Sequence, residues 1–370
     1  MTYPCSPQAL AARAAPPLSL KAQGSFWVGL ERVRQEGGTR AAGQMFVQYL
    51  IPTELKCPWP LVLVHGGGGQ GTDYLVTPDG RPGWASVFAG LGYAVYVVDR
   101  PGHGRAPFDP ALLGPMGPSP TYDFIEAMFA CPERGPSYPR AELHTQWPQG
   151  RADGMDVMDQ VLAAMGPASA DLAESHAAMQ RAGVALLDAI GPSILLTHSA
   201  GGPFGWVVAD ARPALVKAIV AVEPIGPPFL DRGPAGGLAW GLTGIPLAFD
   251  PPAARPEDLR PVERDPPQPE LVRCKVQSEP ARRLVNLGGF PIVVVSGEAS
   301  WMALDNHGAV DFLVQAGCRA THLRLEDHGV RGNGHAIMLE NNSTAAAAVI
   351  DRWIGEHVDG RTPPGDKGPQ

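Results

Sequence analysis

The chain has 370 residues, 44% hydrophobic and 18% charged, which is enough to bury one large core with length left for insertions. A net charge of −8 argues against nucleic acid or an anionic membrane as its main partner, and no apolar run approaches the ~18 residues of a membrane span. The 45 glycines and 40 prolines stop short of low complexity.

The five cysteines (Cys5, Cys57, Cys131, Cys274 and Cys318) stand far apart, with no Cys-x-x-Cys, no metal-like cluster and an odd count that suits no disulfide framework. The N-terminus has no basic region followed by an apolar one, so no secretory leader is expected. Together these features predict a cytoplasmic protein without a metal or organic cofactor. Residues 1–22 read as a loose arm, 23–358 as the folded domain and 359–370 as a disordered tail.

Residues 25–33 and 44–51 carry β-branched and aromatic side chains and predict an antiparallel pair that opens a sheet. Residues 59–64 form a buried strand that runs into His65-Gly66-Gly67-Gly68-Gly69-Gln70-Gly71. Four glycines in a row let the backbone come very close to a ligand. Neither a Walker lysine nor a Gly-x-Gly-x-x-Gly with a following acid accompanies them, which disfavours a nucleotide. The better reading is an oxyanion loop in which a backbone N–H, that of Gly67, donates to a tetrahedral intermediate; a plain glycine-rich turn is the bland alternative.

Residues 84–92 predict a helix and 94–99 a strand, ending in a turn around His103 that carries no chemistry. The stretch 106–167 is too long for one crossover. Its aromatic residues, Phe108, Tyr122, Phe124, Phe129, Tyr138 and Trp147, suit a lid or cap that lines an apolar pocket, or simply glue it to the body. Residues 168–190 predict a helix.

Ser193-Ile194-Leu195-Leu196-Thr197-His198-Ser199-Ala200-Gly201-Gly202 is a buried strand driven into a sharp turn, with a helix starting near Pro203. A serine at the apex of a strand–turn–helix is a nucleophile elbow, although Thr197 stands where the first glycine of Gly-x-Ser-x-Gly is usual. The next strand, 218–222, ends in Glu223-Pro224, and a second proline-rich insertion follows at 225–287. Strand 291–295 ends at Glu298, a helix covers 310–317, and strand 322–325 leads through a loop to His335 and a last helix to about residue 357. Strands alternating with helices after an antiparallel start predict an α/β architecture with a mostly parallel sheet flanked by helices, the two insertions forming a cap.

Chemistry-bearing residues therefore fall at strand ends in the order Ser199, a carboxylate, His335. A serine hydroxyl is a poor nucleophile and needs an adjacent base, itself oriented by an acid. Glu223, Glu298 and Asp305 all sit where that acid could stand, and residue pattern alone leaves them open. His328 is a rival base, His198 reads as a packing residue, and His65 as a support for the oxyanion loop.

The chain resembles the α/β-hydrolase superfamily, and within it a group of bacterial serine esterases whose acid is a glutamate after the sixth strand. The matching stretches are Leu63-Val64-His65-Gly66, Thr77-Pro78-Asp79-Gly80-Arg81, Leu196-Thr197-His198-Ser199, Val220-Ala221-Val222-Glu223-Pro224 and Gly332-Asn333-Gly334-His335. The resemblance implies a serine carboxylic-ester hydrolase acting through an acyl-enzyme on a small or medium apolar ester. Its catalytic residues would be Ser199, His335 and Glu223, with the N–H groups of Gly67 and Ala200 as oxyanion hole. A lactonase, thioesterase, acyltransferase or C–C hydrolase would use the same residues. A non-catalytic binding protein of this fold need not keep all of them, and a haloalkane dehalogenase would place an aspartate at Ser199. The partner is a small-molecule ester; a homodimer stays open.

Overall fold

In the computed structural model, described over residues 17–130, 138–148, 156–233 and 236–360, eight strands form one sheet. In chain order they are β1 (Leu20–Val28), β2 (Met45–Pro52), β3 (Leu61–Val64), β4 (Val95–Asp99), β5 (Ser193–His198), β6 (Val216–Val222), β7 (Pro291–Ser296) and β8 (Arg319–Arg324). Their spatial order is β1-β2-β4-β3-β5-β6-β7-β8. β2 runs antiparallel to both neighbours and every pair from β4 to β8 is parallel.

Among the described residues, six helices of more than one turn complete the frame: α1 (Trp84–Gly90), α2 (Val157–Ala164), α3 (Leu172–Ile190), α4 (Gly202–Ala211), α5 (Asn306–Gln315) and α6 (Ser343–Ile354). The inner parallel strands are mostly apolar because both faces are covered, whereas the edge strand β8 is largely polar. Successive residues alternate between two cores. Leu195 of β5, with Ile292 and Val294 of β7, faces Leu186, Phe204 and Phe312 of α3, α4 and α5. Ile194 and Leu196, with Val293 and Val295, face Trp84 and Phe88 of α1 and Ile350 of α6. Each such side chain stabilises by about 1.5–3 kcal/mol when fully buried.

The details differ from the sequence reading in three places. The expected strand 25–33 is broken after Val28 by Gly29 at φ 68°, where a Cβ would press on the backbone of Ala182. The chain then makes a separate hairpin, Glu31–Gln35 with Gly38–Ala42. The expected arm is cut short because β1 already begins at Leu20; residues 1–16 and 361–370 lie outside the described residues. Of the two insertions, the first carries α2 and a small core in which Ile125, Trp147, Val157 and Met158 surround Ala336, next to His335. The second instead sends Leu242, Leu247, Phe249, Leu259, Leu284 and Leu287 into the core shared with α3 to α5.

α3 begins where Asp171 accepts hydrogen bonds from the N–H groups of Ala173 and Glu174, and it ends at Gly191, so a capped helix delivers the chain into β5. Among the described residues no helix is long and apolar enough to cross a membrane. Of the cysteines, Cys57, Cys274 and Cys318 are buried.

Candidate active site

β5 ends at His198, and Ser199 turns the chain with φ 50°, a left-handed conformation that is strained for a residue with a side chain. Such strain persists at functional turns when the surroundings fix it. Here Gly201 fixes it: a Cβ there would collide with the carbonyl oxygen of His65, so only glycine lets the elbow close against β3. Thr197 takes the place of the usual first glycine because Gly205 of α4 supplies the room, an added Cβ lying 3.5 Å from Thr197 Cγ2.

Ser199 Oγ lies 2.8 Å from His335 Nε2, and His335 Nδ1 lies 2.8 Å from Glu223 Oε2. The carboxylate can only accept, so Nδ1 carries the proton and Nε2 is free to accept from Ser199. Glu223 leaves the tip of β6 at φ 47° and is fully buried. Its Oε1 accepts from Gly297 N–H at 2.7 Å and its Oε2 from the Ser300 hydroxyl. Burial pushes this carboxyl above its ordinary range, and the two donors pull it back. Burial pushes His335 down to about 3, so the resting imidazole is neutral and able to take a proton.

The rival residues fall elsewhere. Glu298 accepts from Arg331 at 2.6 Å and from Gly332 N–H at 3.0 Å, facing away from the imidazole. Asp305 makes no bond to His335, and burial raises it to about 7. His328 is exposed. His198 Nε2–H donates to the His335 carbonyl at 2.9 Å, bracing the loop that carries His335.

Gly67 faces the elbow, an added Cβ meeting Ala200 Cβ at 3.3 Å, so the glycine loop and the residue after the serine stand side by side. Behind the loop, His65 Nδ1–H donates to the Gly66 carbonyl and His65 Nε2 accepts from Arg100 N–H. Buried Arg100 donates to the same carbonyl at 2.6 Å. His103, read as idle, packs 5.1 Å from His65 in this support. The Thr77-to-Arg81 turn is a fastening: Arg81 binds Asp79 and reaches the carbonyls of Glu340 and Asn341, just beyond the base.

Three features escaped the sequence reading. The loop after β7 supplies Ser300 to the acid and lays Trp301 on the imidazole, with ring centroids 4.1 Å apart. Phe129 of the first insertion packs edge-on against Trp301. Buried His144 bonds buried Glu340 at 2.9 Å, while Glu340 also accepts from Gly334 N–H and Asn333, tying that insertion to the His335 loop. None of these contacts has a sequence signal, since each joins loops without periodicity.

A cavity of about 370 Å³ opens over Ser199. Phe129, Trp147, Val161, Met165 and Met338 are among its apolar walls, and no described residue from 225–287 lines it.

Buried histidines also set the acid response. Burial lowers His65 and His198, takes His103 and His176 to about 3 and His322 to about 4. Below an unfolded value of ~6.5 the unfolded chain binds protons these five side chains refuse, so their contribution to stability is lost as pH falls. His335 and His307 are lowered too, and the raised carboxyls, Asp73 and Asp305 at about 7 with Glu223, Asp210 and Glu326 above their ordinary range, act in the opposite sense but are fewer. Thermal melts should give a lower Tm at pH 5 than at pH 7.

The alpha/beta hydrolase fold family matches over residues 60–266. A relative named probable secreted lipase phiG, from Fungal sp. (strain ATCC 74256), is 40% identical over 321 residues, covering 86% of this chain and 87% of that protein. A solved structure described as a novel bacterial esterase superposes with a TM-score of 0.62 at 24% identity, covering 93% of this chain and 98% of that one. The expected cytoplasmic location draws no support from a relative named as secreted.

Proposed function

The chain belongs to the α/β-hydrolase fold family, and we propose that it is a serine carboxylic-ester hydrolase working through an acyl-enzyme. The observation that carries this reading is the unbroken hydrogen-bonded chain from Ser199 through His335 to Glu223 at the floor of an apolar cavity.

As Ser199 Oγ attacks the ester carbonyl, its proton passes to His335 Nε2, and Glu223 stabilises the imidazolium that forms. The carbonyl oxygen gains charge at the backbone N–H groups of Gly67 and Ala200, donors of a kind worth about 10²–10³ in rate each. The imidazolium returns its proton to the leaving alkoxide. Water, deprotonated by the same imidazole, then releases the acid and restores Ser199.

The first insertion is the cap in this reading, because among the described residues it alone of the two supplies cavity wall. A relative named as a lipase and a structural neighbour named as an esterase support the same bond type, and the former makes an extracellular location the better reading.

The test is a panel of p-nitrophenyl esters from acetate to decanoate, run with fluorophosphonate labelling. Turnover should peak at short to medium acyl chains, fall for decanoate as the cavity fills, and vanish on labelling. A wild-type enzyme inert to every ester and unlabelled by the phosphonate would overturn the proposal.

A further inference from the structure

The cavity wall is mostly apolar; apart from His198, Ser199 and His335, its polar side chains are Gln160 of the first insertion and a group between Gln70 and Thr77. Thr77 is engaged there, its hydroxyl donating to Asp79 at 2.5 Å and accepting from Arg81 N–H. Gln70 spends its amide on the Ala164 carbonyl at 2.7 Å. Thr72 and Asp73 differ. Both line the cavity, and Thr72 Oγ1 is buried without a hydrogen-bond partner. Asp73 receives a main-chain hydrogen bond from Gln70, and desolvation raises its carboxyl to about 7.

The carboxylate lies against Gly69, where an added Cβ would run into Asp73 Oδ2. Gly69 is two residues from Gly67, a span of at most about 7 Å. A buried hydroxyl that lacks a partner, beside a carboxyl held by one main-chain donor, carries a desolvation cost, which a ligand supplying further hydrogen bonds removes. A hydroxyl group suits this pair best, since it can donate to Asp73 while accepting from Thr72; an ammonium group could only donate.

We propose that Thr72 and Asp73 form a polar subsite that receives a hydroxyl group of the ester substrate, a few atoms from the scissile carbonyl. The inference rests on the serine-hydrolase reading above. The preferred substrates are hydroxy esters rather than plain alkyl esters of the same length. Asp73 also lies within electrostatic reach of buried Arg100, so its removal could act through the oxyanion support as well. The experiment must separate these roles.

The quantity to measure is the ratio of kcat/KM for matched pairs with and without the hydroxyl. On the acyl side the pairs are p-nitrophenyl 3-hydroxyhexanoate and 6-hydroxyhexanoate, each against the hexanoate. On the alcohol side the pair is 2-hydroxyethyl against propyl hexanoate.

In the wild type at least one pair should favour the hydroxy ester by about tenfold or more, the worth of a buried hydrogen bond. Thr72→Val and Asp73→Leu should each bring that ratio towards one, and Asp73→Asn, which keeps an acceptor, should restore much of it. A support role for Asp73 would lower both members of a pair together and leave the ratio unmoved. Ratios near one in the wild type, or a preference untouched by both Thr72→Val and Asp73→Leu, would overturn the subsite while leaving the hydrolase intact. A wild type inert to every ester and unlabelled by fluorophosphonate would remove the hydrolase reading and the subsite with it.

Discussion

Ser199→Ala should lower kcat on p-nitrophenyl butyrate by about 10⁴–10⁶, with KM and Tm close to wild type, the scale on which a triad nucleophile acts. Ser199 Oγ is the cavity hydroxyl that stands 2.8 Å from a base. The Thr72 hydroxyl has no hydrogen-bond partner, and that of Thr77 is occupied by Asp79 and Arg81. The described cysteines are buried and none lines the cavity, so none could substitute as nucleophile. Removing the hydroxyl leaves the backbone turn in place, since its φ of 50° is imposed by the closure of Gly201 on His65. What remains is the catalysis that backbone donors and substrate positioning supply alone. A variant that kept more than a hundredth of the wild-type kcat, with labelling retained, would place the nucleophile elsewhere. Steady-state kinetics beside a thermal melt would separate lost chemistry from lost fold.

Much of this site was legible because parallel strands announce themselves. Leu61–Val64, Val216–Val222 and Pro291–Ser296 are mostly apolar runs too short for helices, and the one or two residues after each stand at one edge of the sheet. That placed Gly66, Glu223 and Glu298 on a common rim, with Ser199 and His335 beside them. The same pattern could not choose between Glu223 and Glu298, since a strand tip fixes a Cα and not the direction of its side chain. The choice is made by the loop after β7, whose Gly297 N–H and Ser300 hydroxyl hold Glu223 while Arg331 holds Glu298.

The second insertion misled for a related reason. Its apolar residues were visible, but apolar content does not say whether a segment covers a cavity or packs into the core beside α3 to α5. The pairing of His144 with Glu340 joins two loops 196 residues apart and has no local signature at all.

The sharpest test of the acid is a pair of substitutions made together. Glu223→Gln should reduce kcat by about 10³–10⁴ with little change in KM, whereas Glu298→Gln should stay within about twofold of wild type. The two oxygens of Glu223 take three donors, from Gly297, Ser300 and His335. An amide has one acceptor oxygen and a group that donates. With its oxygen kept for Gly297, the new NH₂ faces His335 Nδ1 and favours the tautomer in which Nε2 carries the proton. That tautomer cannot receive the proton of Ser199, and no buried charge remains to stabilise an imidazolium. Glu298 offers no such leverage: its partner Arg331 is 68% exposed, and an ion pair of that kind contributes about 0–1 kcal/mol. If Glu298→Gln were the crippled variant and Glu223→Gln the active one, the loop after β7 would have to swing its own carboxylate to His335 in solution. The hydrogen bonds to Glu223 would then describe a resting arrangement rather than the working one.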